Sequence, residues 1–408
     1  MTGSLARGAI GRSPVQCAAD WLSGWRGADL PTWDGGPRWG EGHVALTESG
    51  RSAIALAARV WTIGERDEVL VPSYNCGSEI SPFASTGARL TMYRVNGDAR
   101  IDMADLLGRM SPRTRVVHVT HYFGRLAELG ELRAICAARD IKLLEDCALS
   151  MFSAGAGSMG DAAVFSLRKA LPASDGGLLW MPDPAASAPQ LRRPALAATA
   201  RGLGQQVESC VLGATGLRRP ARRRRGAEGA EPVSGETPPD LPTSYYWPAG
   251  ALPRSGSRFA TGLLRRTDPA AVVSRRRANY GLLRQALIGT PGVAFLWTDE
   301  VLPAGMCPLG LPILVEDKGA WCRSLQASNV FVSPWWTGCH RGLDWRPFPD
   351  ALGLKSHLVL LPVHQGLTAR DMDHAASVVR ALAGGNGHPV GGRLYAQVRG
   401  SFPGTAVQ

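Results

Sequence analysis

The chain has 408 residues, 45% hydrophobic and 19% charged, which is enough apolar side chain for a large core and a smaller second one. Eight cysteines form no Cys-x-x-Cys pair and no regular framework, so neither a zinc site nor a disulfide scaffold is indicated and a reducing, cytoplasmic setting is expected. The formal charge of +11 invites a nucleic-acid reading, but the arginine run from Arg218 to Arg225 is followed by Glu228, Glu231, Glu236 and Asp240, so it reads as a solvated loop and nucleic acid is not expected as a partner.

No apolar run approaches the roughly 20 residues of a membrane span, and no charged start with an apolar stretch marks a secretory signal. Residues 1–42 are rich in Gly, Pro and Trp without a period and read as an N-terminal arm. Its anchors are Trp21, Trp25, Trp33 and Trp39, which suit docking on a partner subunit or on the chain's own body. His43 to Thr47 reads as a strand, Glu48 to Arg51 as a turn and Ser52 to Val60 as an Ala-rich helix. A Gly turn at a helix start presents free N–H groups to an anion, and it is also a common cap.

Asp67 to Pro72 is a strand ending on proline, after which Ser73-Tyr74-Asn75-Cys76-Gly77 opens a connection. Val116 to His121 is a further strand, and Leu129 to Arg139 a helix with Leu132, Ile135 and Cys136 on one face. The apolar run of Ile141, Leu143 and Leu144 stops at Glu145-Asp146, as a buried strand does when its end delivers a carboxylate into a crevice. Ala162 to Phe165 is followed by Ser166 and Lys169, and Gly176-Gly177 then opens Leu178-Leu179-Trp180. Lys169 thus lies in a connection between two strands, where shielding from water makes an amine a nucleophile towards a carbonyl. Strands alternating with helices, with chemistry at the strand C-terminal ends, predict a mostly parallel α/β sheet.

After Pro182 the period is lost. A helix is expected over Leu196 to Leu212, then an Arg/Pro-rich low-complexity insertion near 214–243 that Tyr245-Tyr246-Trp247 closes. Phe259 to Leu287 reads as one long amphipathic linking helix. Leu311 to Val315 and Leu358 to Val363 read as strands of a small domain, and Leu367 to Leu382 as its last helix, with Thr368 as the cap. The expected division is an arm (1–42), a large domain (43–257), a linking helix with a small C-terminal domain (258–383) and a flexible tail (384–408).

Eight motifs fall in one order: Ser49-Gly50, Pro72-Ser73, His121-Tyr122-Phe123-Gly124, Glu145-Asp146, Gly160-Asp161-Ala162, Phe165-Ser166, Lys169 and Gly176-Gly177. In that order and spacing the chain resembles the DegT/DnrJ/StrS family of pyridoxal-phosphate-dependent sugar aminotransferases over roughly residues 40 to 180, with a weaker return between Arg258 and Leu382. The resemblance implies fold type I of the pyridoxal-phosphate transferases: a large domain with a mostly parallel sheet sandwiched by helices, and a small C-terminal α/β domain. It also implies pyridoxal 5'-phosphate as the cofactor, Lys169 as the amine that takes its aldehyde and later moves the proton, and Asp146 as the carboxylate that keeps the pyridine nitrogen protonated. Gly50, Arg51, Ser52 and Ser166 fall where the family holds the phosphate, and Cys76 falls where it stacks an aromatic residue on the ring. Tyr74 is the alternative stacking group.

Departures are as specific as the matches. Leu149 stands where the family has a Gln or His for the ring hydroxyl, the Ser166 to Lys169 spacing is shorter, and the family's asparagine motif near the insertion is not recognisable. The implied reaction moves an amino group, from a donor such as glutamate, onto a nucleotide-linked keto sugar. The working unit implied is a homodimer, for which the arm, Tyr245-Tyr246-Trp247 and Ser333-Pro334-Trp335-Trp336 are candidate surfaces. Two alternatives stay open: a sugar dehydratase of the same fold, against which Lys169 argues because those relatives carry His there, and a non-catalytic binding or regulatory protein whose arginine run meets an acidic partner.

Overall fold

The computed structural model describes residues 30–183, 191–193, 240–332 and 335–385, with Ala200 and Gly204. Trp21, Trp25, most of the segment 196–212, the arginine run, Ser333-Pro334 and the chain after Gly385 lie outside the described residues. Seven strands form the main sheet: β1 (His43–Thr47), β2 (Glu68–Pro72), β3 (Arg89–Tyr93), β4 (Thr114–Thr120), β5 (Lys142–Asp146), β6 (Ala162–Ser166) and β7 (Gly177–Met181). Their order is β1-β7-β6-β5-β4-β2-β3. β3, β2, β4, β5 and β6 run parallel, and β7 is antiparallel to both its neighbours, β6 and β1. The runs Glu68-Val69-Leu70-Val71-Pro72 and Ala162-Ala163-Val164-Phe165-Ser166 are buried residue after residue, the pattern of strands covered on both faces.

Helices α1 (Gly50–Val60), α2 (Ser81–Ala84), α3 (Met103–Arg109), α4 (Gly130–Ala138) and α5 (Leu167–Ala170) connect the strands. Ser49 caps α1 by accepting the Ser52 N–H at 3.3 Å. The two glycines that open β7 have separate reasons. Gly176 sits at φ +112°, and a Cβ on Gly177 would lie 2.3 Å from the carbonyl carbon of Ser49, so only hydrogen lets β7 pass the start of α1. Trp33 and Trp39, expected as anchors for a partner or for the chain's own body, pack on the body. Trp33 meets Phe152 and Phe165 edge-on at 5.3 and 5.5 Å, and Trp39 meets Trp180 at 5.6 Å.

A second, antiparallel sheet has the order β10-β9-β8, from β8 (Ala294–Phe295), β9 (Gly310–Leu314) and β10 (Leu358–Pro362). The single helix expected over 259–287 is two, α6 (Arg258–Arg265) and α7 (Pro269–Leu287). Asp268 ends the first and starts the second, because its carboxylate accepts the N–H groups of Ala270 and Ala271 while Pro269 has none to offer the turn before it. Next come α8 (Lys318–Ala327), α9 (Pro349–His357) and α10 (Ala369–Gly385). Thr368 opens α10 as expected, exchanging hydrogen bonds with Asp371, and the helix runs on through Gly384 and Gly385, where a tail was expected. Tyr280, Leu283, Leu311, Ile313, Trp321, Val359 and Val379 bury a second core between this sheet and α7, α8 and α10. Among the described residues no helix is long and apolar enough to cross a membrane.

Candidate active site

The last residue of β5 is Asp146, and it is buried. Its Oδ1 accepts the Ala148 N–H at 2.8 Å, while Oδ2 has His118 Nε2, from β4, at 3.8 Å. Burial pushes the His118 imidazole down from its ordinary value against the pull of the Asp146 charge, so His118 is neutral at pH 7. One strand over, β6 ends at Ser166 and gives way to the single turn α5, which carries Lys169. The carbonyl of Ala170, next in the chain, accepts from Arg276 Nη2 at 2.8 Å and Gln365 Nε2 at 3.0 Å. Side chains of α7 and of the segment after β10 therefore fix the turn that aims Lys169.

Above the Lys169 amine lie Trp335 and Trp336, with ring centroids 5.7 and 5.8 Å from Nζ. Trp336 continues into Tyr74, at 4.9 Å, and Tyr74 into Tyr122, at 5.4 Å, making one aromatic wall. This pair of tryptophans, one of the candidate partner surfaces, stands over the lysine. Its turn is held by two buried lysines. Lys355 Nζ donates to the carbonyls of Asn75 at 2.6 Å, Gly338 at 2.9 Å and Trp336 at 3.3 Å, and Lys318 Nζ donates to those of Trp335 and Lys355. Burial pushes both amines down from their ordinary values, Lys318 to about 7. The Asn75 carbonyl belongs to the loop after β2, so Lys355 joins that loop to the tryptophan turn.

In that loop Asn75 Oδ1 accepts the Gly77 N–H at 2.8 Å, and Cys76 comes next. Its thiol donates to Glu79 Oε2 at 2.8 Å and lies 3.0 Å from Ser78 Oγ. Burial, then the Glu79 charge, push the thiol up to about 12, so it is an S–H donor and not a thiolate. Tyr74, the alternative to Cys76 in the sequence, forms part of the wall with its hydroxyl buried and unpartnered.

The phosphate candidates divide. Ser166 is buried and its hydroxyl makes no hydrogen bond to the described residues, and a Cβ on Gly50 would lie 3.8 Å from Ser166 Cβ, so the α1 start and Ser166 face one spot. Ser52 Oγ turns instead to Glu48 and Ser49, at 3.3 and 3.1 Å. The Arg51 guanidinium reaches outward to the carbonyls of Ser244 and Tyr245, leaving only its backbone N–H at the turn. Leu149 is buried and has no polar atom on its side chain to offer. His121 and Glu145 form a supporting pair: Nε2 meets Oε2 at 2.9 Å, Nδ1 accepts the Ala127 N–H, and Glu145 Oε1 accepts from Met159 and Gly160. Gly124, last of His-x-x-Gly, stands at φ +104° with room for no Cβ against the Cys307 carbonyl.

Asp146, Lys169 and Cys76 therefore meet in one crevice at the C-terminal ends of β2, β5 and β6. Glu79, His118 and Lys355 complete it and were not singled out from the sequence. Glu79 lies in the turn after β2 and Lys355 in a helix, each with no spacing to mark it, whereas His118 falls at an inward position of an apolar strand.

The sheet order, its single reversed strand and a lysine one turn after β6 define the type I fold of pyridoxal-phosphate transferases. Solved structures agree on the fold: a DegT DnrJ EryC1 StrS aminotransferase from Brucella abortus superposes with a TM-score of 0.57 at 19% identity, covering 85% of this chain and 87% of that one. The sequence profile of the DegT/DnrJ/EryC1/StrS aminotransferase family matches residues 38–213. Similar curated proteins include GDP-perosamine synthase of Vibrio cholerae, 25% identical over 34% of this chain, and dTDP-4-dehydro-2,3,6-trideoxy-D-glucose 4-aminotransferase of Saccharopolyspora spinosa, 30% identical over 35% of it. The chain spans 39% of the length of each of these two relatives.

Proposed function

We propose that this chain is a pyridoxal-phosphate-dependent aminotransferase that moves an amino group from a donor such as glutamate to a nucleotide-linked keto sugar. The observation that carries the reading is Lys169 on its single turn after β6, beside a buried Asp146 at the end of β5. The residues present suit the cofactor. Asp146 keeps Oδ2 without a hydrogen bond and backed by a neutral His118, as a protonated ring nitrogen requires; Ser166 and the α1 start offer an unengaged hydroxyl and N–H groups to a phosphate; and the unpartnered Tyr74 Oη, Glu79 Oε1 and His118 Nδ1 suit a polar group between them. When bound, pyridoxal phosphate supplies the electron sink that makes a carbon-bound hydrogen acidic.

The chain's own groups then divide the work. Lys169 would hold the cofactor's aldehyde through its amine and, when that amine is free, would act at Nζ as general base and acid. Asp146 would hold the ring proton. The wall of Tyr74, Tyr122, Trp335 and Trp336 excludes water and offers faces to a sugar ring. Lys169 also weighs against the dehydratase reading, which needs a group there that does not fix the cofactor. The relatives' printed names include GDP- and dTDP-linked sugar enzymes, which supports a nucleotide-linked acceptor.

The test is a half-reaction. Cofactor-loaded protein mixed with L-glutamate should lose its lysine-bound absorbance and release 2-oxoglutarate stoichiometrically. Asp146→Asn should slow this by about 10²-fold or more while binding cofactor, and Lys169→Ala should abolish it. Release of 2-oxoglutarate by Lys169→Ala at the wild-type rate would overturn the proposal.

A further inference from the structure

Glu79 is buried next to a second carboxylate. One carboxylate oxygen each of Glu79 and Asp146 and one ring nitrogen of His118 lie within 4.8 Å of one another, and all three side chains are shielded from solvent. Glu79 Oε2 accepts the Cys76 thiol, but Oε1 is buried with no hydrogen-bond partner among the described residues. No basic group is placed to neutralise it: among the described residues Glu79 forms no ion pair, and Lys169 and Lys355 act on it only through space. Asp146 has the Ala148 N–H to hold its charge. Two buried carboxylates this close do not both ionise cheaply, and at Glu79 burial and the Asp146 charge outweigh the thiol and backbone N–H of Cys76, so Glu79 is the one that keeps a proton.

We propose that Glu79 is a positioning residue that carries a proton in the resting site and, by gaining or losing it, sets whether Lys169 faces one negative charge or two. With Glu79 neutral, the crevice holds one carboxylate, Asp146, and the Lys169 amine is more readily freed of its proton. With Glu79 ionised, the added charge favours the Lys169 ammonium, which is not a nucleophile. The proton leaves to solvent and returns from it, and no other bond changes.

The groups facing Glu79 from each neighbouring element agree with this. Asp146 at the end of β5 opposes its ionisation, as burial does more strongly, while Cys76 in its own loop and Lys169 on α5 favour it. Lys355 on α9 is a buried cation beyond Cys76, His118 on β4 is neutral, and the phenols of Tyr74, Tyr93 and Tyr122 are held protonated by burial. The balance raises the Glu79 carboxyl to about 7.

The role of Lys169 rests on the reading above, but the proton on Glu79 does not, so the experiment uses full-length protein without cofactor. Infrared difference spectra between about pH 5.5 and about pH 8.5 should show a protonated-carboxyl stretch that disappears as pH rises and is missing in Glu79→Gln. In Asp146→Asn, which removes the opposing charge, the same band should titrate about one pH unit or more lower. In parallel, labelling of Lys169 by a small amine-reactive reagent, read by peptide mass spectrometry at about pH 8, should be about 3-fold or more faster in Glu79→Gln than in wild type. No titrating band in wild type, or a band that survives Glu79→Gln, overturns the protonation of Glu79. Unchanged or slower Lys169 labelling in a folded Glu79→Gln overturns the control over the lysine.

Discussion

At the residue scale, Glu145 shows how an acid beside the site differs from one inside it. Burial alone would raise its carboxyl, but the His121 hydrogen bond and the N–H groups of Gly160 and Met159 outweigh that and hold it below its ordinary 4.5. A depressed carboxyl stabilises the fold fully above its unfolded value and loses that contribution as pH falls through the folded one, so the window lies below 4.5. Glu145→Gln should therefore unfold more easily at neutral pH by about 2–4 kcal/mol and show a flatter loss of stability in acid, both read by denaturant titration at several pH values. An acid limb identical to wild type would show that the pair does not hold the β5 end. Asp146 follows Glu145 directly and was legible from the sequence, because a strand of continuous apolar residues ending in acids has few other uses. Glu79 was not: the groups it is buried against include Asp146 and His118, which are distant in sequence and on other elements.

At the element scale, the site depends on α9, which no periodicity announced. Its Lys355 is buried and gives all its hydrogen bonds to carbonyls, joining Asn75 to the turn at Trp336 and Gly338. Lys355→Met keeps the length and removes the donors, leaving three carbonyls without that partner. It should cost about 3 kcal/mol and shift the tryptophan emission to the red as the Trp335-Trp336 turn loosens. Wild-type emission and stability would mean that the turn is held by packing alone. The division of one expected helix into α6 and α7 was readable after the fact, since Asp268-Pro269 is a cap and a first helical residue in succession. The amphipathic pattern on either side concealed it. The large sheet was more legible, because buried parallel strands announce themselves by composition, whereas the small sheet's two-residue β8 has too little chain to show a period.

At the scale of the molecule, the fold brings a loop after β2, the end of β5 and the turn after β6 into one crevice, and roofs it with residues from 335 to 355. Trp33 and Trp39 are used within the chain, and among the described residues Tyr245, in the 240–247 segment beside the α1 start, is an exposed aromatic side chain. We propose that a second copy of the chain docks there as a homodimer. Light scattering coupled to size exclusion at low micromolar concentration should give twice the chain mass of 43.4 kDa, and a fully active monomer would refute the shared site. The crevice also holds three lysines near one another in role but not in surroundings: Lys169 faces aromatic rings, while Lys318 and Lys355 are spent on carbonyls. Treating pyridoxal-phosphate-loaded protein with borohydride fixes the cofactor to whichever amine holds it, and peptide mass mapping then reads the position. The expected result is one pyridoxyl group per chain, on Lys169, lost in Lys169→Ala. A group on Lys318, Lys355 or any other lysine, or none on the wild-type protein, would contradict it.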